Sequence, residues 1–376
     1  MKILFVIDAY FTHNNGTSIS AQRFADELRK RGHEVRVLTA CDEQKENIYS
    51  LPELKIPIFQ GLIRKHGFQF AKWKKKNIRE AVEWADIIHC FLPFVMEAKA
   101  KKMADKLGKP STAAFHVQPQ NITSSLGTGK VDWVNNMVFR LFRNTTYNHY
   151  GHIHTPSQFM ADEIASRGYT AKLHPISNGI QSDFKWTKQP KDPKFGEKIL
   201  IMMVGRLAGE KRQDILINSL QYSKYGNKIQ LIFAGRGPKY KQYYKLGQKL
   251  KNPPIFTYLP KDELIKLLAQ CDLYVHASDM ESEAISCIEA FATGLVPVIS
   301  NSSLSATRQF ALDERSLFEA GNPKDLARAI DYWLDNPEEK HRMEKIYSES
   351  AAKYNIDNSI TQFEAMLQEA IEDHKK

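Results

Sequence analysis

The chain has 376 residues, 42% of them hydrophobic and 26% charged, a composition typical of a globular protein large enough for two domains. No apolar run reaches the roughly 18 residues that a membrane-spanning helix needs. The apolar start at residues 3–7 is cut off by Asp8, which excludes a signal peptide core. We therefore expect a cytoplasmic protein. Four scattered cysteines without C-x-x-C pairs favour free thiols over disulfides or a metal site.

The net charge of +10 is carried by the first half of the chain alone. Residues 1–190 hold 27 basic and 17 acidic residues, whereas residues 191–376 hold 26 of each kind. A positive surplus of this kind attracts nucleic acid or an anionic membrane surface.

Short β-rich runs alternate with helical patterns along nearly the whole chain, which predicts parallel sheets with crossover helices. In the first half we predict a helix at 18–31 and strands at 2–7, 34–39, 86–90, 111–116, 152–155 and 173–177. A polar stretch at 181–198 is typical of a linker. The strand pattern then restarts at 199–204, 229–234, 255–258, 273–276 and 296–299, and helical patterns follow at 323–336, 337–354 and 356–374. The order predicts two doubly wound α/β domains, 1–185 and 190–355, with a last segment, 356–376, packing back on the first.

Two strand ends in the first half carry candidate functional residues. Gly16, in the loop before the first helix, lets backbone amides approach a phosphate or sugar closely. His116 ends the fourth predicted strand, where it could hydrogen-bond a sugar or assist proton transfer, or serve only as a structural histidine. The strand-end turns Thr155-Pro156-Ser157 and Asn178-Gly179-Ile180 indicate a turn or cap.

Basic residues follow the first strand of the second half. Arg206 and Lys211, near the start of the next helical segment, are suited to holding a diphosphate, although a solvated basic helix start is the alternative. The next predicted strand ends in Gly235-Arg236-Gly237, which lacks the third glycine of a dinucleotide fingerprint.

Glu281 and Glu289 lie eight residues apart at a predicted strand-to-helix junction. Glu289 is placed to accept hydrogen bonds from a ribose and Glu281 to lie nearer the reacting end of a ligand, unless either acid merely caps or solvates a helix. The sequence contains no Walker A motif, no D-x-D and no G-x-S-x-G. Their absence removes support for a P-loop, a metal-bridged acidic donor site and a serine hydrolase.

These motifs, in this order, resemble family 4 glycosyltransferases of the GT-B fold, and the resemblance covers nearly the whole chain. It implies two Rossmann-like domains facing each other across a cleft, and retaining, metal-independent transfer from a nucleotide sugar without a cofactor. The first domain would face the acceptor and the second would bind the donor. The implied catalytic residues are His116, Arg206, Lys211 and Glu281, and the implied donor-binding residues also include Gly16, Ala284, Ile285 and Glu289. Many members have glycines where this chain has Ser282 and Ala284.

Residues 14–18, 115–119, 281–285 and 303–319 resemble a branch of the family, the bacterial cholesterol α-glucosyltransferases. That branch implies UDP-glucose as the donor and the 3-hydroxyl of cholesterol as the acceptor. Diacylglycerol α-glycosyltransferases are related to it, so a lipid acceptor is implied more firmly than a sterol. An enzyme of cell-surface polysaccharide synthesis, a GT-B epimerase and a nucleic-acid-binding protein are the alternatives.

Two segments of the first half are candidates for membrane or acceptor contact, and we expect peripheral attachment to the inner face of the cell membrane. Residues 62–76 mix basic and aromatic side chains, as interfacial segments do: Arg64, Lys65, Lys72, Trp73, Lys74, Lys75 and Lys76. Residues 131–142 carry apolar side chains at helical spacing, including Trp133 and Phe139. A solvated basic face is the alternative for the first segment and ordinary core packing for the second.

Overall fold

The computed structural model describes residues 1–12, 16–43, 45–55, 69–120, 123 and 131–376. The chain forms two compact units, one of Met1–Asn178 with Asp357–Lys376 and the other of Gly179–Ile356. These divisions lie within about ten residues of the boundaries expected from the sequence. In the described part of the chain, no helix combines the length and the apolarity needed to cross a bilayer.

The first unit contains a sheet of seven parallel strands in the order β3-β2-β1-β4-β5-β6-β7. They are β1 Lys2–Val6, β2 Glu34–Ala40, β3 Ile48–Leu51, β4 Ile87–Cys90, β5 Ser111–Ala114, β6 His152–Thr155 and β7 Lys172–Pro175. The helices described in this unit are Gly16–Lys30, Lys75–Trp84, Val95–Lys106, Asp132–Thr145, Gln158–Ala165 and Ile356–His374. The strand order reverses between β1 and β4, as in a doubly wound fold.

The C-terminal helix Ile356–His374 belongs to the first unit from Asp357 onward, as expected for the last segment of the chain. Its buried face includes Ile360, Phe363 and Leu367, each 0% exposed. The Phe363 ring meets Phe5 edge-on, with 6.1 Å between the ring centroids. A salt bridge of 2.7 Å between Arg31 and Glu364 adds a polar contact at the rim. The apolar stripe of this helix is therefore satisfied by the sheet of the first unit.

The second unit contains six parallel strands in the order β10-β9-β8-β11-β13-β15. They are β8 Ile199–Val204, β9 Ile229–Ala234, β10 Ile255–Thr257, β11 Leu273–His276, β13 Pro297–Ser300 and β15 Leu317–Phe318. A separate pair joins β12 Met280–Glu281 to β14 Leu304–Ser305. Its helices are Gln213–Ser219, Tyr240–Gly247, Lys261–Leu268, Ile285–Ala292, Pro323–Asp335 and Pro337–Ser350. The prediction of two doubly wound domains is confirmed, with the second reversal between β8 and β11.

The polar stretch 181–198 is not a linker between the two units. Phe184 and Phe195 are each 5% exposed and belong to the core of the second unit. The Gln189 backbone N–H also donates to the carbonyl of Ala269 at 3.0 Å. Its composition resembles a linker, but its two phenylalanines bury enough apolar surface to fix it on the unit that follows.

Candidate active site

The candidate donor site lies at the carboxyl ends of β8 and β11, the neighbouring strands between which the order of the second sheet reverses. Loops that leave two such strands diverge to opposite faces of the sheet and open a crevice between them. Gly205 and Arg206 follow β8, and Glu281 lies five residues after the end of β11. The fold therefore brings the basic and the acidic motif to one sheet edge.

Two glycine turns at this edge pack directly against each other. A Cβ atom on Gly235 would lie 2.0 Å from the carbonyl oxygen of Gly205, and one on Gly237 would lie 2.3 Å from that of Leu207. The Leu207 N–H donates to the carbonyl of Arg236 at 3.0 Å. Gly235 and Gly237 are therefore required for the close approach of the turns after β9 and β8. This packing explains the Gly-Arg-Gly run without invoking a bound phosphate.

Lys211 ends a 3-10 turn, Gly209–Lys211, and Arg206 lies three residues before that turn. The Arg206 guanidinium donates to Glu210 at 2.6 Å, which holds its side chain along the turn. A Cβ atom on Gly205 would meet nothing closer than the Lys211 side chain at 4.0 Å. Two cations close to Gly205 form a site suited to a diphosphate.

The Lys211 ammonium donates to Glu281 at 2.5 Å, so the structure joins two of the predicted residues directly. His276 Nε2 donates to the same carboxylate oxygen at 2.9 Å. Burial alone would raise the pKa of Glu281, but the Lys211 charge and the His276 hydrogen bond outweigh it and hold the pKa well below its usual range. Glu281 is therefore an ionised acceptor in a nearly buried position, suited to binding hydroxyl groups.

A second set of contacts fixes the turn that carries Lys211. Arg212 has the left-handed φ of 55° and donates to Asp279 at 2.9 Å. The Asp279 N–H donates to the carbonyl of Glu210 at 2.8 Å. These bonds tie the turn after β8 to the loop after β11 and so position Lys211 opposite Glu281. His276, Arg212 and Asp279 were not predicted as site residues, although His276 ends a predicted strand and that position was a usable signal.

Ala284 and Ile285 stand at the N-terminus of the helix Ile285–Ala292. Ala284 has a φ of 75°, a left-handed conformation that costs an alanine about 1–2 kcal/mol. This is one of the positions where many family members have glycine. Glu289, in the same helix, is 7% exposed. Its role at a ribose remains a prediction.

In the first unit, Gly16 begins the first helix and is exposed, with nothing within 4 Å of an added Cβ atom. His116 follows β5, is 7% exposed, and stacks on Phe91 with 5.8 Å between the ring centroids. Burial and the neighbouring His154 hold the pKa of His116 well below its usual value. Its buried Nε2 has no hydrogen-bond partner among the described residues. A neutral imidazole with one unused nitrogen is equipped to accept or donate a single hydrogen bond.

A pair of buried carboxyl groups lies beyond the end of β1, where Asp8 meets Glu97 of the helix Val95–Lys106, and neither was predicted as a site residue. The Asp8 N–H donates to Glu97 at 3.3 Å. Burial raises the pKa of Asp8 to about 6, and burial and the neighbouring Asp8 raise the pKa of Glu97 well above its usual value. Asp8 directly follows an apolar strand, which was the one available signal. Burial therefore raises the pKa of both carboxyl groups here, whereas ion pairing lowers the pKa of Glu281 in the second unit.

The turn residues have the expected roles where the structure describes them. Ser157 caps the helix Gln158–Ala165, since its hydroxyl accepts from the Met160 N–H at 3.2 Å. Gly179 has a φ of 74°, which favours glycine at that turn.

The candidate membrane residues divide into three groups. Arg64 and Lys65 lie outside the described residues. Lys72, Lys74, Lys75 and Lys76 are exposed, and Trp73 and Trp133 are 43% and 70% exposed. Phe139 is only 1% exposed, because it faces the core under the Arg167 guanidinium at 4.2 Å. The prediction that Phe139 contacts a membrane is therefore wrong, because this side chain packs in the core.

Two family models adjoin each other along the chain. Residues 14–184 match Glycosyltransferase Family 4, and residues 184–349 match Glycosyl transferases group 1. The chain belongs to the family 4 glycosyltransferases. The enzyme class expected from the motifs is therefore confirmed.

Two relatives span most of this glycosyltransferase. A GDP-mannose-dependent alpha-mannosyltransferase of Corynebacterium glutamicum is 26% identical, over 80% of this chain and 72% of its own. An alpha-monoglucosyldiacylglycerol synthase of Streptococcus pneumoniae is 24% identical, over 80% of this chain and 71% of its own.

Two solved structures are similar. HepE of Anabaena, in complex with UDP and glucose, is 16% identical with a TM-score of 0.75, over 98% of this chain and all of that one. This likeness confirms the GT-B fold. The catalytic domain of the cholesterol-alpha-glucosyltransferase of Helicobacter pylori is 51% identical, over 42% of this chain and 99% of that one, with a TM-score of 0.41.

The ionised state of Glu281 predicts a pH dependence of stability. Because its folded-state pKa lies below the ordinary 4.5, its stabilising contribution is complete above about pH 5 and is lost as the pH falls further. In urea denaturation, the difference in unfolding free energy between wild type and Glu281→Gln should stay constant from pH 7 to 5. It should shrink by on the order of 1–2 kcal/mol from pH 5 to 3. Glu263→Gln, which changes an exposed acid, is the control. If the difference in unfolding free energy between wild type and Glu281→Gln did not change from pH 5 to pH 3, the prediction would be contradicted.

The strained Ala284 predicts a gain of stability on substitution by glycine. Ala284→Gly relieves the left-handed conformation, and after the greater entropy of unfolded glycine is subtracted we expect a rise of about 0.5–1 kcal/mol in unfolding free energy. Ala290→Gly, within the same helix, should instead lower it by about 1 kcal/mol. Chemical denaturation measures the unfolding free energy of both variants. A loss of stability in both would refute the claim that the backbone at Ala284 is strained.

Proposed function

We propose that this glycosyltransferase transfers glucose from UDP-glucose to a lipid hydroxyl with retention, cholesterol being the leading acceptor. The observation that carries the proposal is the contact of Lys211 with Glu281 at the β8–β11 edge, with Arg206 on the same turn. It supports a single donor site with a cationic part for the diphosphate and an anionic part for sugar hydroxyls. Glu289 is assigned to the ribose, and His116 to a hydrogen bond with a sugar hydroxyl.

In the proposed reaction, the bond between the sugar C1 and the diphosphate oxygen breaks, and the acceptor oxygen bonds to C1 on the same face. The acceptor proton passes to the departing diphosphate. Arg206 and Lys211 stabilise the negative charge that grows on the leaving group, which is where electrostatic catalysis acts. This scheme uses no metal ion.

The choice of donor and acceptor is supported by the sequence resemblance to cholesterol α-glucosyltransferases. The relative named for monoglucosyldiacylglycerol supports a lipid acceptor and makes diacylglycerol the second candidate. An assay with UDP-glucose, UDP-galactose or GDP-mannose, and with vesicles containing cholesterol or diacylglycerol, separates these possibilities by mass spectrometry of the lipid product. Transfer to soluble oligosaccharides alone, or a β-linked product, would overturn the proposal.

The donor site predicts which variants lose activity. Glu281→Ala, Arg206→Ala and Lys211→Ala should each reduce kcat/KM by about 10²–10³-fold, because each removes charge aimed at the donor. Lys241→Ala, at an exposed lysine of the same unit, is the matched control and should retain wild-type kinetics. Near-UV circular dichroism checks that each variant is folded. Near-normal rates in all three site variants would move the site elsewhere.

We further propose that the first unit binds the anionic inner face of the cell membrane. Lys74 precedes the helix Lys75–Trp84, whose first turn contains no acid, so lysines stand where the helix dipole disfavours them. An anionic surface would offset that cost, which supports binding over a merely solvated face. Trp73 lies beside these lysines, beneath the Lys99 ammonium at 4.8 Å. A second patch, the exposed side chains Trp133, Met137 and Leu141 on one helix face, supplies apolar contact.

The membrane proposal predicts that Lys72, Lys74, Lys75 and Lys76, all changed to Ser, lose sedimentation with anionic vesicles. Each lysine near such a surface contributes on the order of 1 kcal/mol. The control changes four exposed lysines of the second unit to Ser, which alters the net charge equally: Lys239, Lys241, Lys245 and Lys249. Equal loss in both sets would indicate a general charge effect, and no loss in either would support a solvated face.

A further inference from the structure

A cluster of His152, His174 and Glu369 in the first unit is independent of the proposed transfer reaction. Among the described residues, it is the one group of at least three histidine, cysteine or acidic side chains whose ligand atoms lie close enough to share an ion, all within 4.8 Å of one another. His152 begins β6, His174 lies in the edge strand β7, and Glu369 lies in the C-terminal helix. Three separate elements thus converge on one point.

The register of the strands explains why the two imidazoles meet. His152 pairs with Lys172 and His154 pairs with His174, so His152 and His174 are diagonal neighbours on one sheet face. The C-terminal helix covers this face, since Phe363 lies against His154 with 5.7 Å between the ring centroids. The two histidines are 22 residues apart in the sequence, with no local metal-binding motif.

The geometry suits a divalent ion. His152 Nδ1 lies 3.0 Å from His174 Nε2, and the two rings stack with 5.2 Å between their centroids. Without an ion, the two nitrogens share a single hydrogen. Two nitrogens that bind the same zinc ion at about 2.0–2.1 Å are separated by nearly the distance observed between His152 Nδ1 and His174 Nε2. A zinc ion can therefore replace the shared hydrogen with little rearrangement.

A second carboxylate orients the first ligand. His152 Nε2 lies 3.3 Å from Asp373, one helical turn after Glu369. An imidazole that binds a metal through one nitrogen commonly donates its other N–H to a carboxylate. Glu369 already pairs with Lys172, and its carboxylate has two oxygens, so it can serve the ion and the lysine together.

We propose that His152 Nδ1, His174 Nε2 and a Glu369 oxygen bind one Zn²⁺ ion, with Asp373 as the partner of His152. Two imidazoles and a carboxylate form a donor set that zinc accepts, with water completing the coordination. His152 is level with Thr112 of β5, four residues before His116, which is about 13 Å along the strands at the usual rise per residue. The ion would therefore fasten the C-terminal helix to the sheet and take no part in transfer.

The test uses the full chain, freed of metal with a chelator and titrated with Zn²⁺ alone by calorimetry. One ion should bind per chain and raise the melting temperature, because an ion that binds only the folded state stabilises it. Co²⁺ in place of Zn²⁺ should give the visible absorption of a nitrogen- and oxygen-bound ion.

His174→Ala and Glu369→Gln should each weaken Zn²⁺ binding by about tenfold or more and remove the rise in melting temperature. His149→Ala, at an exposed histidine of the same unit, should bind as wild type does. If His174→Ala fails to fold, Glu369→Gln carries the same test, because the side chain it changes is 35% exposed. Absence of stoichiometric binding to wild type, or equal binding by both site variants and wild type, would overturn the proposal.

Discussion

The contact between Lys211 and Glu281 is the interaction on which the candidate site depends. It joins the turn after β8 to the loop after β11, at the point where the second sheet reverses its order. Both side chains are largely withdrawn from water, at 20% and 11% exposure, so neither charge is well solvated alone. Removing one partner of such a pair leaves the other uncompensated, which commonly costs 3–5 kcal/mol. The arrangement keeps Glu281 ionised and Lys211 localised before any ligand arrives, and preorganised charge of this kind is what a leaving group needs.

The two units differ in the kind of polar group they present at their strand ends. The second unit presents ions, with Arg206, Lys211 and Glu281 at neighbouring strands. In the first unit, burial keeps His116 neutral and raises the pKa values of Asp8 and Glu97. The two units thus use different physical means at their strand ends: ion pairing keeps Glu281 charged in the second, and burial disfavours the charged forms of His116, Asp8 and Glu97 in the first.

Long buried strands were predictable because a parallel strand covered on both faces requires a continuous apolar run. The shorter strands were missed for the same reason. β12, β14 and β15 have two residues each, and β3 has three half-buried residues among its four, so none produces a clear run. The motifs identified Arg206, Lys211 and Glu281 because each follows a predictable strand. His276 and Asp279 were missed because their value lies in which residues they contact, and residue type alone does not reveal that.

The sequence by itself determined the fold class and the family, and it predicted candidate residues for a donor site, because periodicity and motif order are local properties of the chain. Only the tertiary structure decided which of these residues touch. It paired Lys211 with Glu281 across 70 positions, placed Phe139 in the core although Trp133, Met137 and Leu141 of the same helix are exposed, and wrapped 181–198 onto the second unit. It also brought His152, His174 and Glu369 together from two strands and the last helix. Such contacts depend on strand register and helix docking, and spacing along one segment carries no information about either.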